Sequence, residues 1–83
     1  MNRYTLAVLV RNQFGVLNRL TSMFRRRQFN IHSLTVSETE SAEYSRLTIQ
    51  SEGDEITKQQ LINQLYKLPD VCSIQEFEPM ESI

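Results

Sequence analysis

The chain has one cysteine, one histidine, no tryptophan, two glycines and two prolines among its 83 residues. The single thiol, Cys72, excludes an intrachain disulfide and a thiolate zinc cluster, and is expected as a small buried hydrophobe. One imidazole, His32, has no second histidine and no Cys or carboxylate at ligand spacing, so a structural histidine is expected rather than a metal ligand. A lone Cys and a lone His assemble no nucleophile–base pair, and two glycines cannot build a phosphate-cradling GxxxxGK[ST] loop. The acidic residues fall in loops and helix ends, where solvation accounts for them. The chain is therefore read as non-catalytic, with no metal or cofactor of its own.

Charge of one sign is also missing: nine Lys+Arg stand against ten Asp+Glu, a net charge of −1. No global field attracts nucleic acid or an anionic membrane. No apolar run approaches the roughly 20 residues of a membrane span, and no basic-apolar leader opens the sequence. A soluble, reduced, cytoplasmic protein is expected. A chain of this size buries a thin core, and a second copy would supplement it.

What is present is hydrophobic periodicity. Residues 3–10 alternate Tyr4, Leu6, Val8 and Val10 against Thr5, Ala7 and Leu9, which predicts a strand apolar on both sides. Val16, Leu17, Leu20, Met23 and Phe24 predict an amphipathic helix over about 15–27, and Arg25, Arg26 and Arg27 suit its negative end. The arginine triplet reads as a helix terminus or as a docking patch for an acidic partner. A nucleic-acid site would want exposed aromatics on a sheet, where Arg46, Thr48 and Gln50 stand instead. Residues 29–36 predict a second strand whose apolar phase slips between Ile31 and Leu34, as a bulge or a doubly buried strand would require. An acidic connection, 37–43, leads to a third strand, Tyr44–Ser51. Glu52-Gly53-Asp54 breaks the chain; Asp54 or Thr57 then caps a helix carrying Ile56, Leu61, Ile62, Leu65 and Leu68, stopped by Pro69-Asp70. Residues 71–77 form the last strand, and 79–83 a tail.

The order βαββαβ predicts an α+β, ferredoxin-like domain over 1–78, with a four-stranded antiparallel sheet and two helices on one face. The two apolar sides of strand one imply that the bare face or an edge is covered by a second copy, making a homodimer.

The organising stretch is Val10–Leu17, where a strand ends, turns on Gly15 and starts a helix. The first N–H groups of a helix lack internal partners and carry partial positive charge, which suits a carboxylate or phosphate. Asn12 beside it either caps the helix or accepts a bond from a ligand ammonium. The same pairing of Asn and Gly also occurs in turns that bind nothing.

Asn12-x-x-Gly15-Val16-Leu17-x-Arg19-Leu20-x-x-Met23-Phe24 and Phe29-Asn30-Ile31-x-Ser33-Leu34-Thr35-Val36 together resemble the opening of the acetolactate synthase small, regulatory subunit family, which begins with an ACT domain. The likeness continues through Ser45–Ile49 and Gln64–Val71. It implies a domain that dimerises by edge pairing into an eight-stranded sheet and binds valine, or another branched-chain amino acid, at the interface. The implied effector residues are Asn12, Gly15, Val16 and Leu17, with Asn30 and Ile31 supplied across the dimer. The implied partner is a large catalytic subunit, using thiamine diphosphate, a divalent metal (Mg) and FAD, which the small chain activates and subjects to feedback inhibition. A free-standing amino-acid-binding ACT module that regulates another enzyme or a transcription factor is the alternative. Two departures stand out: longer members carry a second, C-terminal domain, and Phe14 occupies a position where the family often has Ser or Pro.

Overall fold

In a computed structural model, residues 2–77 are described; the expected tail at 79–83 lies outside them. Six elements follow in the order β1 (Asn2–Arg11), α1 (Val16–Arg27), β2 (Asn30–Glu38), β3 (Tyr44–Gly53), α2 (Glu55–Tyr66) and β4 (Val71–Phe77). The strands form one antiparallel sheet in the order β2-β3-β1-β4. β1 sits in the interior because its alternation feeds a buried face: Tyr4, Leu6, Val8 and Val10 are each at most 5% exposed. Leu47 and Ile49 of β3 lie opposite Val8 and Leu6 and are fully buried with them. Onto this face α1 sets Val16, Leu20, Met23 and Phe24, and α2 sets Leu61 and Leu65. One helical layer on one sheet makes a slab of 34 × 33 × 17 Å.

Local chemistry explains where the elements stop. α1 ends at Gln28, whose left-handed φ of 57° lets its N–H reach the carbonyls of Arg25 and Phe24. The three arginines occupy the last turn, where their charge opposes the helix dipole. α2 starts at Asp54, whose carboxylate accepts the Thr57 N–H at 2.8 Å. Lys58 then ties α2 to β4 through Glu76 at 2.8 Å, with Glu55 at 3.0 Å.

The phase slip in strand two is a bulge. Pairing with β3 jumps between Ile31 and Ser33, leaving His32 without an opposite residue. The His32 imidazole sets Nε2 2.8 Å from a Glu52 carboxylate oxygen. That contact holds the Glu52 carboxyl below its ordinary range.

Several expectations need correction. Cys72 is exposed: it sits on the edge strand β4, at the irregularity where pairing with β1 skips from Ser73 to Val71. Ile56 is 70% exposed and does not join the buried stripe of α2, since only Leu61 and Leu65 of that helix are buried on the sheet. α2 ends at Tyr66, so Leu68 packs against the core from the following turn. The strands flanking the acidic connection are longer than expected: β2 runs to Glu38, and β3 passes through Glu52 to Gly53 because both pair with β1. Among the described residues no helix is long and apolar enough to cross a membrane.

Two stability measurements check this account. Leu20→Ala removes a fully buried side chain that joins α1 to the sheet, and should cost about 2–5 kcal/mol in urea unfolding. Hydrogen bonds from the Thr57 side chain and then its backbone N–H hold the Asp54 carboxyl below its ordinary value of 3.8. The cap therefore stabilises above that value and is lost as pH falls through the lowered one. Asp54→Ala should melt earlier than the parent at pH 7, and the two melting curves should converge in strong acid.

Candidate functional site

The turn after β1 is built by backbone bonds on both sides of Gly15. The Gln13 N–H donates to Arg11 at 2.9 Å, and the Val16 N–H donates to the Gln13 carbonyl at 3.2 Å. Gly15 itself is the N-cap residue of α1, at φ 84° and ψ 1°, a left-handed conformation open to glycine at little cost. Its carbonyl takes the first helical bond, from Arg19 at 3.0 Å. No side chain caps the helix, and its first turn holds no acidic residue. The N–H groups of Gly15, Leu17 and Asn18 have no protein acceptor among the described residues. The positive end of α1 is therefore open.

Asn12 does not cap α1. Its N–H donates to Glu43 at 2.7 Å, its Nδ2 donates to the Ala42 carbonyl at 3.2 Å, and its Oδ1 accepts from the Ser45 hydroxyl at 2.9 Å. The side chain thereby pins the β1–α1 turn to the β2–β3 hairpin. Arg19 lies on the other flank, where its guanidinium pairs with Asp70, a residue 8% exposed, and the Asp70 carbonyl accepts the Arg11 N–H at 2.8 Å. With Arg19 engaged by a carboxylate, no residue lining the cleft beside the turn carries a charged side chain.

These groups border a cleft of about 190 Å³ lined by residues that include Asn12, Gly15, Leu17, Val36, Ser45 and Leu47. That is smaller than the roughly 300–1,000 Å³ usual for drug-sized ligands, and suits a small metabolite. Open amides and the Asn12 amide meet an apolar wall in which Leu47 is buried while Leu17 and Val36 are 40% and 52% exposed. The arrangement can take an acid, an amine and a short apolar chain side by side.

Four of the six expected effector residues, Asn12, Gly15, Val16 and Leu17, line this cleft. Asn30 and Ile31 do not; they border a shallower depression with Phe24, Arg25, Gln28 and Leu34 at the other end of α1. Gly15 and Asn30 themselves flank the twelve residues of α1, about 18 Å of helix at 1.5 Å per residue. Ser45 and Val36 were not anticipated. A signal for Ser45 exists in its phase: it shares the inward side of β3 with Leu47 and Ile49, where a hydroxyl requires a polar partner. Among the described residues no group of three or more His, Cys, Asp or Glu is placed to hold a metal ion.

The sheet order, the two helices on one face and the amide-lined turn after β1 define an ACT-type domain. The solution structure of the ACT domain from the GTP pyrophosphokinase of Chlorobium tepidum shares this fold, with a TM-score of 0.77 at 12% identity over 99% of this chain and 92% of that one. At the level of sequence, the model of the AHAS small subunit-like ACT domain matches residues 6–73, and the chain belongs to this family. The probable acetolactate synthase small subunit of Archaeoglobus fulgidus is 50% identical over 89% of this chain and 46% of its own length. The isozyme 3 small subunit of Escherichia coli is 45% identical over 89% and 45%. The crystal structure of the acetolactate synthase small subunit from Thermotoga maritima matches with a TM-score of 0.88 and 38% identity, over 96% of this chain and 50% of that one. The chain thus spans about half the length of the relatives it matches.

The left-handed Gly15 yields a direct check. A Cβ there would meet only Arg19 Nη1, at 3.9 Å, so Gly15→Ala should fold with no clash. It should lose about 1–2 kcal/mol to backbone conformation alone, read as a lowered urea midpoint.

Proposed function

We propose that the chain is a regulatory ACT unit of acetolactate synthase that binds a branched-chain amino acid, valine above all, between two copies of itself. The observation that carries the reading is the open, acid-free start of α1 facing an apolar wall. The N–H groups at the first turn of α1 take the carboxylate, the Asn12 amide takes the ammonium, and Leu17 and Val36 border the branched side chain.

Edge pairing through β2 supports the dimer. β2 is a sheet edge with one side of its backbone unpaired. Antiparallel pairing of two copies about Leu34 sets Asn30 opposite Glu38, and Ile31 opposite Ser37, of the second copy. Ser37 and Glu38 directly follow Val36, a wall of the cleft. Asn30 and Ile31 of one copy then complete the site of the other, and two four-stranded sheets become one of eight. Phe14, Leu17 and Val36, all exposed in the isolated chain, border the same region, so the second copy also covers apolar surface.

The dimer docks on the large catalytic subunit, which supplies thiamine diphosphate, Mg and FAD. There it raises activity and transmits inhibition by the pathway's end product in branched-chain amino-acid biosynthesis, in the cytoplasm. Adding the chain to a large subunit should change the rate of acetolactate formation, and valine should reverse that change. No effect in either condition rejects the role. Co-purification with a different stable partner would assign a free-standing amino-acid-binding module instead.

Two substitutions separate the contacts. Gly15→Asp puts a carboxylate at the helix start, where it repels the effector's own, and should abolish valine binding in calorimetry while circular dichroism stays native. Asn30→Ala should weaken valine by roughly 1–3 kcal/mol if its amide bonds the charged ligand.

A further inference from the structure

Charge is distributed unevenly along the β2 edge of the sheet. α1 finishes on Arg25, Arg26 and Arg27, at the end of β2 that begins with Asn30. Glu38 closes β2 at the opposite end, and Glu40 and Glu43 follow it. All six are exposed, and among the described residues none of them forms an ion pair. Arg25 borders the depression it shares with Asn30, Ile31 and Leu34, so it lies along the β2 edge on the helical side of the sheet. Glu38 stands on that same side, because it pairs with Ser45, which shares the buried face of β3 with Leu47 and Ile49. The β4 edge has no such pattern: Glu76 is the one charge on that strand, and Lys58 engages it.

We propose that two copies of the chain clasp each other by charge, Arg25 at the end of α1 in one meeting Glu38 of the second, with the same contact repeated about the two-fold axis. The inference rests on the reading that the copies pair antiparallel through β2. An interface between identical copies must be self-complementary, so a group that meets its opposite once meets it twice. A two-fold axis near Leu34 carries the Glu38 end of one β2 to the Asn30 end of the other, beside the depression that Arg25 borders. Arg26 and Arg27 add to one sign at this contact, and Glu40 and Glu43 to the other. Parallel pairing of the same edges would set arginines against arginines and glutamates against glutamates. Charge thus rejects the wrong arrangement as well as favouring the right one, and it makes β2 rather than β4 the joining edge.

The test is sedimentation equilibrium of the chain, of its variants Arg25→Glu and Glu38→Arg, and of an equimolar mixture of the two variants. Each variant alone sets like charges together twice and should dimerise about tenfold more weakly than the parent, the order expected when two exposed attractions become two repulsions. In a mixed dimer both contacts again join opposite signs. The mixture should therefore recover the parent's affinity to within a few-fold, and native mass spectrometry should show the mixed dimer in excess over either homodimer. A variant weakened by misfolding would not be rescued by mixing. A second measurement needs no variant: the parent dimer should loosen as added sodium chloride screens the contact. Variants that dimerise as tightly as the parent overturn the clasp, as does a mixture no tighter than its components or a parent dimer indifferent to salt. With a dimeric parent, those results reject the clasp alone. A parent that sediments as a monomer at every concentration removes the β2 pairing itself, and the clasp with it.

Discussion

A positive φ at one residue sets the character of this domain. Because Gly15 turns left-handed between β1 and α1, the chain enters its first helix without the usual Ser, Thr or Asp cap, and among the described residues the N–H groups of Gly15, Leu17 and Asn18 meet no protein acceptor. A capping side chain would have closed the site with the protein's own oxygen. Glycine both permits the turn and leaves the amides open.

The open turn is useful only because its surroundings are rigid. β1 is interior to the sheet and carries four buried side chains up to Val10, so the point at which the chain leaves the sheet is well fixed. Asn12 then ties the turn to the β2–β3 hairpin, and Asp70 ties it to the entry of β4 through Arg11 and Arg19. The turn thus contacts both halves of the molecule. Pairing of Arg19 with Asp70 has an electrostatic consequence too. With that guanidinium taken up by a carboxylate and no charged residue lining the cleft, the partial charge of the first-turn amides is the field nearest the cleft.

Most of the fold was legible in the residues, since it rests on local periodicities. The alternation of β1, the stripe of α1, the slip at His32 and the cap at Asp54 each follow from spacing or side-chain chemistry that a neighbouring stretch does not alter. Misreadings cluster where tertiary pairing decides. Gly53 and Glu52 look like a break, yet they extend β3 because β1 lies beside them. Cys72 looks like a core residue, yet it sits exposed on an edge strand, at the skip in its register. At the site, Asn12 and Gly15 stand out by type, while Ser45 and Val36 come from strands 28 and 19 residues beyond Leu17 in the chain and are brought there only by sheet register. The role of Asn12 illustrates the limit: its residue type allows a cap or a ligand contact, and its bonds to Ala42 and Ser45 are decided by the hairpin.

The proposed sharing of one ligand between two copies has a thermodynamic corollary. A chain of 83 residues has a modest core, and a free β2 edge flanked by exposed Leu17 and Val36 is surface that a second copy would bury. If an effector touches Asn12 of one copy and Asn30 of the other, it binds the dimer and not the separated chains. By linkage it must then tighten the dimer by the same factor by which the dimer tightens it. Sensing would need no large internal rearrangement in such a system. On that proposal, a change in how firmly two sheets are joined would be enough to alter the surface presented to a third chain, and the amides at Gly15 would make that change conditional on the acid group of a small molecule.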